Sequence, residues 1–162
     1  LKSVMLSFRD GMQASRVVLQ SQMFFSEPNW QGWVRRILRQ QGSVVVERLL
    51  QRRQDFAMEF RMKDGKAEYM GLNIFKTDAH GHFMENITGT EQEKEDMLFS
   101  QLDNPESLAG IRRWYLERLP LMAPWYSGPV GVDMLVTSGG RLHPCVEINW
   151  RMTMGMAAVL GQ

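Results

Sequence analysis

The sequence predicts an α+β fold, with mostly antiparallel sheet and helices packed against it. Three observations carry this. Two stretches alternate apolar and polar residues with period two and close on themselves through glycine turns, Asp64-Gly65 and Ser138-Gly139-Gly140. Helical patterns with clear start signals lie between the two hairpins. The order is a short αβ unit, a hairpin, two helices, a second hairpin and a last helix, so strands and helices are grouped rather than strictly alternating.

Composition narrows the function classes. A chain of 162 residues can bury a real core. Its net charge of +1 gives no electrostatic footprint for nucleic acid or a membrane surface. The single cysteine excludes an internal disulfide framework and a cysteine-rich zinc site. Cys145 is expected to be a buried, inert strand residue, and the thirteen methionines adaptable core filler. No apolar run reaches the roughly 18 residues of a membrane span, and no signal peptide is visible, so the expected location is cytoplasmic. His80, His82 and His143 lack metal-ligand spacing and are expected to face solvent.

Leu1–Met5 is a short apolar run containing Lys2. Ser7-Phe8-Arg9-Asp10-Gly11 follows as a loop, and Arg16–Leu19 as a further strand. A helix is expected over 26–41, with Ser26 as cap, Pro28 in the first turn and Gly42 as the stop. Trp30, Trp33, Val34, Ile37 and Leu38 form its apolar stripe. Ser43–Leu50 is a nearly continuous apolar strand interrupted by Glu47. Phe56, Met58, Phe60 and Met62 then alternate with Ala57, Glu59, Arg61 and Lys63, and Ala67–Phe75 returns after Asp64-Gly65. Glu59 and Arg61 are expected on a solvated or cleft-facing surface.

His82–Asn86 reads as a short strand. Thr90-Glu91-Gln92-Glu93 is a capping box, with Met97, Leu98 and Leu102 turned inward in the helix that follows. Asn104-Pro105-Glu106 starts another helix, whose apolar face is Leu108, Ile111, Trp114, Tyr115, Leu116 and Leu119. Pro120 ends or kinks it. Met152–Leu160 is apolar and reads as a closing helix.

The second hairpin carries the chemistry. Val130, Val132, Met134 and Val136 alternate with Gly131, Asp133 and Leu135. On the return strand Cys145, Glu147, Asn149 and Arg151 share one face. The turn decides whether Asp133 joins them. A three- or five-residue loop sets it opposite Glu147. A two-residue loop sends it to the far face, because one residue of register flips every side chain. In the first case two carboxylates and an amide oxygen meet on one surface. Hard oxygen ligands of that kind suit magnesium, which takes few protein oxygens and completes its shell with water and phosphate.

The order GVD, then VEIN with an Arg two residues on, then TMG, resembles the magnesium-binding end of the ATP-grasp family. Trp150 stands where that family often has proline. The resemblance runs from Lys2 to Gly155 and covers the family's second and third parts. It implies a partial ATP-grasp domain, with residues 1–50 as a small lid subdomain and 51–162 as part of the large one. It also implies ATP and Mg2+ as cofactors, with Asp133, Glu147 and Asn149 as metal ligands. Lys2 would meet the phosphates, and Arg151 the transferring phosphoryl group. Glu47, the backbone from Arg48 to Leu50, and Asp55 would place adenine and ribose. Asn86 precedes a polar loop where the family can set substrate contacts.

The activity implied is ATP-dependent ligation of an unknown carboxylate to an amine or thiol through an acyl phosphate. A preceding subdomain, which shapes the acceptor site in the family, is absent from these residues. The sequence departs from the pattern at Val4, at the usual proline position. It departs again at Phe8, Arg9 and Asp10, where small residues normally let backbone amides approach phosphate. The alternative expectation is therefore a nucleotide-binding or interaction module of this fold that has lost catalysis.

Overall fold

The structure, a computed structural model, describes residues 3–10, 13–20, 28–42, 45–48, 50–78 and 83–161. The chain divides into two compact units, Leu1–Leu50 with Ala79–Gly81, and Gln51–Asp78 with His82–Gln162.

The first unit contains β1 (Ser3–Asp10), β2 (Gln13–Gln20), α1 (Pro28–Gln41) and β3 (Val45–Arg48). Its sheet is antiparallel in the order β2-β1-β3. Ser7–Asp10 belong to β1 and pair with Gln13–Arg16 of β2, so these residues form strand and not the expected loop. Helix α1 ends as its sequence requires. Gly42 takes φ +77 and its N–H donates to Leu38 O at 2.9 Å. Ile37 is buried, whereas Leu38, expected in the same stripe, is exposed.

The second unit contains β4 (Arg52–Lys63), β5 (Lys66–Thr77), β6 (Phe83–Ile87), α2 (Glu91–Phe99) and α3 (Glu106–Arg118). A 3-10 turn (Leu119–Met122) follows, then β7 (Gly128–Thr137), β8 (Leu142–Asn149) and α4 (Met154–Leu160). The sheet is antiparallel in the order β6-β5-β4-β7-β8. Lys63 pairs with Lys66 across the two-residue turn Asp64-Gly65, both with positive φ, 49° and 74°. Such a turn matches the twist of the flanking strands.

Alternation then decides what each face holds. Even-numbered residues from Phe56 to Met62 of β4 and from Val130 to Val136 of β7, with Leu72 and Ile74 of β5, make one apolar face. It packs against Leu98 and Leu102, Leu108 and Tyr115, and Leu119 to form the core. The capping box of α2 is complete: Thr90 accepts from Glu93 N–H, and the Glu93 carboxylate accepts from Thr90 N–H at 2.7 Å. The same helix secures β5 at a bulge, where the ladder slips one residue between Glu59–Gly71 and Phe60–Tyr69. There Glu91 Oε2 accepts from Leu72 N–H at 2.9 Å, and Lys94 Nζ donates to Leu72 O at 3.1 Å. Backbone groups beside a bulge need partners when buried, and the helix side chains supply them.

Two expectations fail here. Trp114 does not face the core; it is 48% exposed, with the Arg118 guanidinium over its ring at 5.7 Å. Successive helix positions point about 100° apart, and Tyr115 takes the inward place, its hydroxyl donating to Pro144 O at 3.0 Å. Cys145 is exposed, not buried. It lies with Pro144 where the β7–β8 ladder jumps from Leu135–His143 to Asp133–Glu147. Proline has no N–H to give a ladder, so pairing is interrupted there. No described helix is long and apolar enough to cross a membrane.

Candidate metal and nucleotide site

The odd-numbered face of the second sheet is polar. The hairpin loop is three residues long, 138–140, closed by Thr137 N–H to Arg141 O at 2.9 Å. Past the loop the jump at Pro144-Cys145 adds two residues to β8. Two is an even number, so the faces are not exchanged. Asp133 therefore stands opposite Glu147, and Gly131 opposite Asn149. On the other side of β7, Ala57 pairs with Asp133 and Glu59 with Gly131. Two rows cross the sheet on one face, Ala57–Asp133–Glu147 and Glu59–Gly131–Asn149.

Hydrogen bonds tie the second row to the first. Asn149 Nδ2 donates to Asp133 Oδ2 at 3.3 Å, and an Arg151 terminal nitrogen donates to Asn149 Oδ1 at 3.1 Å. The other terminal nitrogen of Arg151 donates to Met152 O at 3.3 Å. The four residues singled out by motif are thus brought together. Among the described residues no group of three His, Cys, Asp or Glu is placed to hold a metal. The donor set is two carboxylates and one amide, all hard oxygens in principle, which fits magnesium with water and phosphate completing its shell. To offer its oxygen, Asn149 would exchange its two present contacts.

Sequence reasoning missed the centre of this face. Glu59 is 1% exposed, not solvated. Helix α4 covers it: Thr153, the α4 cap, donates from Oγ1 to Glu59 Oε2 at 3.0 Å and accepts from Met156 N–H at 2.8 Å. The fit depends on two glycines. A Cβ at Gly155 would lie 2.2 Å from Glu59 Oε1, and one at Gly131 would lie 2.8 Å from Glu59 Oε2. Burial pushes the Glu59 carboxyl from 4.5 up to about 7. The Thr153 hydrogen bond opposes that rise, and the charge of Asp133 adds to it. The available signal was parity: Glu59 falls in the polar phase of β4, the phase that meets Asp133.

The remaining expected residues are placed as follows. Asp55 lies on the same face, two residues before Ala57, and already has partners. Its Oδ2 accepts from Thr77 Oγ1 at 2.6 Å and pairs with Arg52 at 3.5 Å. Glu47 and Arg48 are in β3, opposite Met5 and Val4, and Leu50 follows; all three belong to the first unit. Lys2 lies outside the described residues. Asn86 pairs with Phe75 at the β5–β6 edge, and its Oδ1 is buried with no hydrogen-bond partner among the described residues.

Compared by sequence, the chain matches no family model and no curated protein. Compared by structure, it is similar to biotin carboxylase from Campylobacter jejuni in a β-γ-ATP complex, with TM-score 0.63 at 13% identity. That likeness covers 96% of this chain and 33% of the other. It is also similar to the biotin carboxylase domain of Hydrogenobacter thermophilus 2-oxoglutarate carboxylase, a complex with MgADP, ADP and bicarbonate. There the TM-score is 0.62 at 12% identity, covering 98% of this chain and 36% of that one. A third is D-alanyl-alanine synthetase A from Vibrio cholerae, with TM-score 0.53 at 13% identity, covering 92% and 42%. The fold is therefore that of the ATP-grasp enzymes, and the chain spans about a third of the length of the biotin carboxylases it matches.

Proposed function

We propose that this chain is the nucleotide- and metal-binding part of an ATP-dependent ligase, joining a carboxylate to an amine or thiol. The observation that carries this reading is Asp133 opposite Glu147, with Asn149 and Arg151 hydrogen-bonded in line beside them. That set sits on a fold otherwise seen in ATP-grasp enzymes. Asp133, Glu147 and Asn149 would hold Mg2+. When bound, magnesium supplies charge neutralisation for a triphosphate and keeps it in line for transfer.

The reaction class needs no nucleophile from the chain. A substrate carboxylate oxygen bonds to the γ-phosphorus of ATP while the bond to the ADP oxygen breaks. The amine or thiol then bonds to the acyl carbon, and phosphate leaves. Arg151 would stabilise charge on the transferring phosphoryl oxygens. Lys2 would neutralise phosphate. Glu47 and the backbone of Arg48 to Leu50 would seat adenine, and Asp55 the ribose. The acceptor site would be completed by a preceding subdomain of the same protein.

One observation favours the second reading, a binding module of this fold without catalysis. Ser7–Asp10 are paired as strand with Gln13–Arg16, where a phosphate-binding loop would leave the backbone unpaired.

Calorimetry of ATP with and without Mg2+, on the chain and on Glu147→Gln, tests the site. Magnesium-dependent binding that the variant weakens supports it; equal binding in both proteins refutes the metal assignment. Phosphate release on adding carboxylates then separates ligase from binding module.

A further inference from the structure

A concave feature lies on the second unit, at the Pro129 end of β7. It is a half-open pocket of about 180 Å³ lined by Met62, Pro129, Met152, Met156 and Leu160, with Arg61 and Lys63 also lining it. Met152, Met156 and Leu160 recur every four residues, which places them along one side of α4 and the turn before it. Met156 is buried, while Met152 and Leu160 are half exposed.

Neither Arg61 nor Lys63 has an ion pair or side-chain hydrogen bond among the described residues. The charged groups facing them are Glu68 opposite Arg61 and Lys66 opposite Lys63, with Glu59 two residues along from Arg61. Glu68 makes no salt bridge to Arg61, and Glu59 is bonded to Thr153. Arg61 and Lys63 are thus the charged residues that line the pocket, and the rest of its lining is chiefly apolar.

We propose that this pocket binds a small amphipathic carboxylate, its anionic head at Arg61 and Lys63 and its apolar chain against Met152, Met156 and Leu160. Arg61 pairs with Pro129, four residues along β7 from Asp133. At roughly 3.3 Å per residue that is on the order of 13 Å from the Asp133–Glu147 pair. A head group held there does not reach a magnesium ion at that pair. The head group is thus no magnesium ligand, and the proposal does not rest on the ligase reading.

The test is a titration of the chain, without nucleotide or magnesium, with sodium octanoate below its micelle concentration. Methionine methyl NMR is the readout. The Met152 and Met156 methyls should shift saturably. Across butanoate, hexanoate and octanoate, each added CH2 should tighten binding about fourfold, as expected for about 0.8 kcal/mol per buried methylene. Octanol, without the charge, should bind about tenfold more weakly, as should octanoate to the Arg61→Gln/Lys63→Gln double variant. Leu160→Glu should abolish binding with an unchanged far-UV circular dichroism spectrum.

Equal affinity for octanol and octanoate overturns the proposal, as does unchanged affinity in the double variant. So do shifts that never saturate. Methyl shifts on simple dilution, with a dimer in sedimentation and no octanoate binding, would show the pocket to be a self-association surface and would also overturn it.

Discussion

Glu59→Gln is the most informative single change, because its effect should depend on pH in a calculable way. Folding moves the Glu59 carboxyl from 4.5 to about 7, chiefly through burial under α4. Between those values the folded chain holds a proton that the unfolded chain has lost. Stability must therefore fall as pH rises from about 4.5 to about 7, and stay low above that. At about 1.36 kcal/mol per pH unit the loss is about 3 kcal/mol. Glutamine keeps the shape, can accept from Thr153 and cannot ionise. The variant should match the parent near pH 4.5 and exceed it by about 3 kcal/mol near pH 8. The assay is urea unfolding of both proteins across that range, with EDTA present and tryptophan fluorescence as readout. Titrating groups remote from Glu59 cancel in the difference between the two. A difference that stays flat with pH would refute the reasoning, since it would mean that α4 does not desolvate this carboxyl.

Four other outcomes are expected. Glu147→Gln should reduce magnesium-dependent ATP affinity at least about tenfold, the scale of one lost charge-assisted contact, and leave the urea midpoint unchanged. Gly155→Ala places a Cβ 2.2 Å from Glu59 Oε1 and 2.7 Å from Asn73 Nδ2, and should cost about 1–3 kcal/mol in the same unfolding assay. Gly139→Ala, which meets nothing within 4 Å, should change stability by less than about 0.5 kcal/mol. Thr90→Ala removes the α2 cap and should cost about 1 kcal/mol, with faster amide exchange confined first to the start of α2.

Much of the second unit was legible in the sequence because its signals are local. Asp64-Gly65 sets a two-residue turn by backbone preference alone, and Thr90 with Glu93 marks a helix start by side-chain reach alone. Period two in β4 and β7 separates core residues such as Phe56, Phe60 and Val132 from the polar phase. The sequence also restricted the candidate metal face to two registers and singled out Asp133, Glu147, Asn149 and Arg151.

Choosing between those registers needed the tertiary structure. Asp133 meets Glu147 because the loop has three residues and the irregularity at Pro144-Cys145 adds an even number more, and no local preference dictates that sum. The burial of Glu59 was equally beyond the sequence. Its strand phase puts it on the polar face, but whether that face meets water depends on α4, about a hundred residues later in the chain. Trp114 and Tyr115 show the same limit, since two adjacent aromatic residues cannot both turn inward and only the position of β8 chooses between them. Periodicity determines which residues share a face; what covers that face is set by elements distant in sequence, through close packing that leaves room for glycine alone at Gly131 and Gly155.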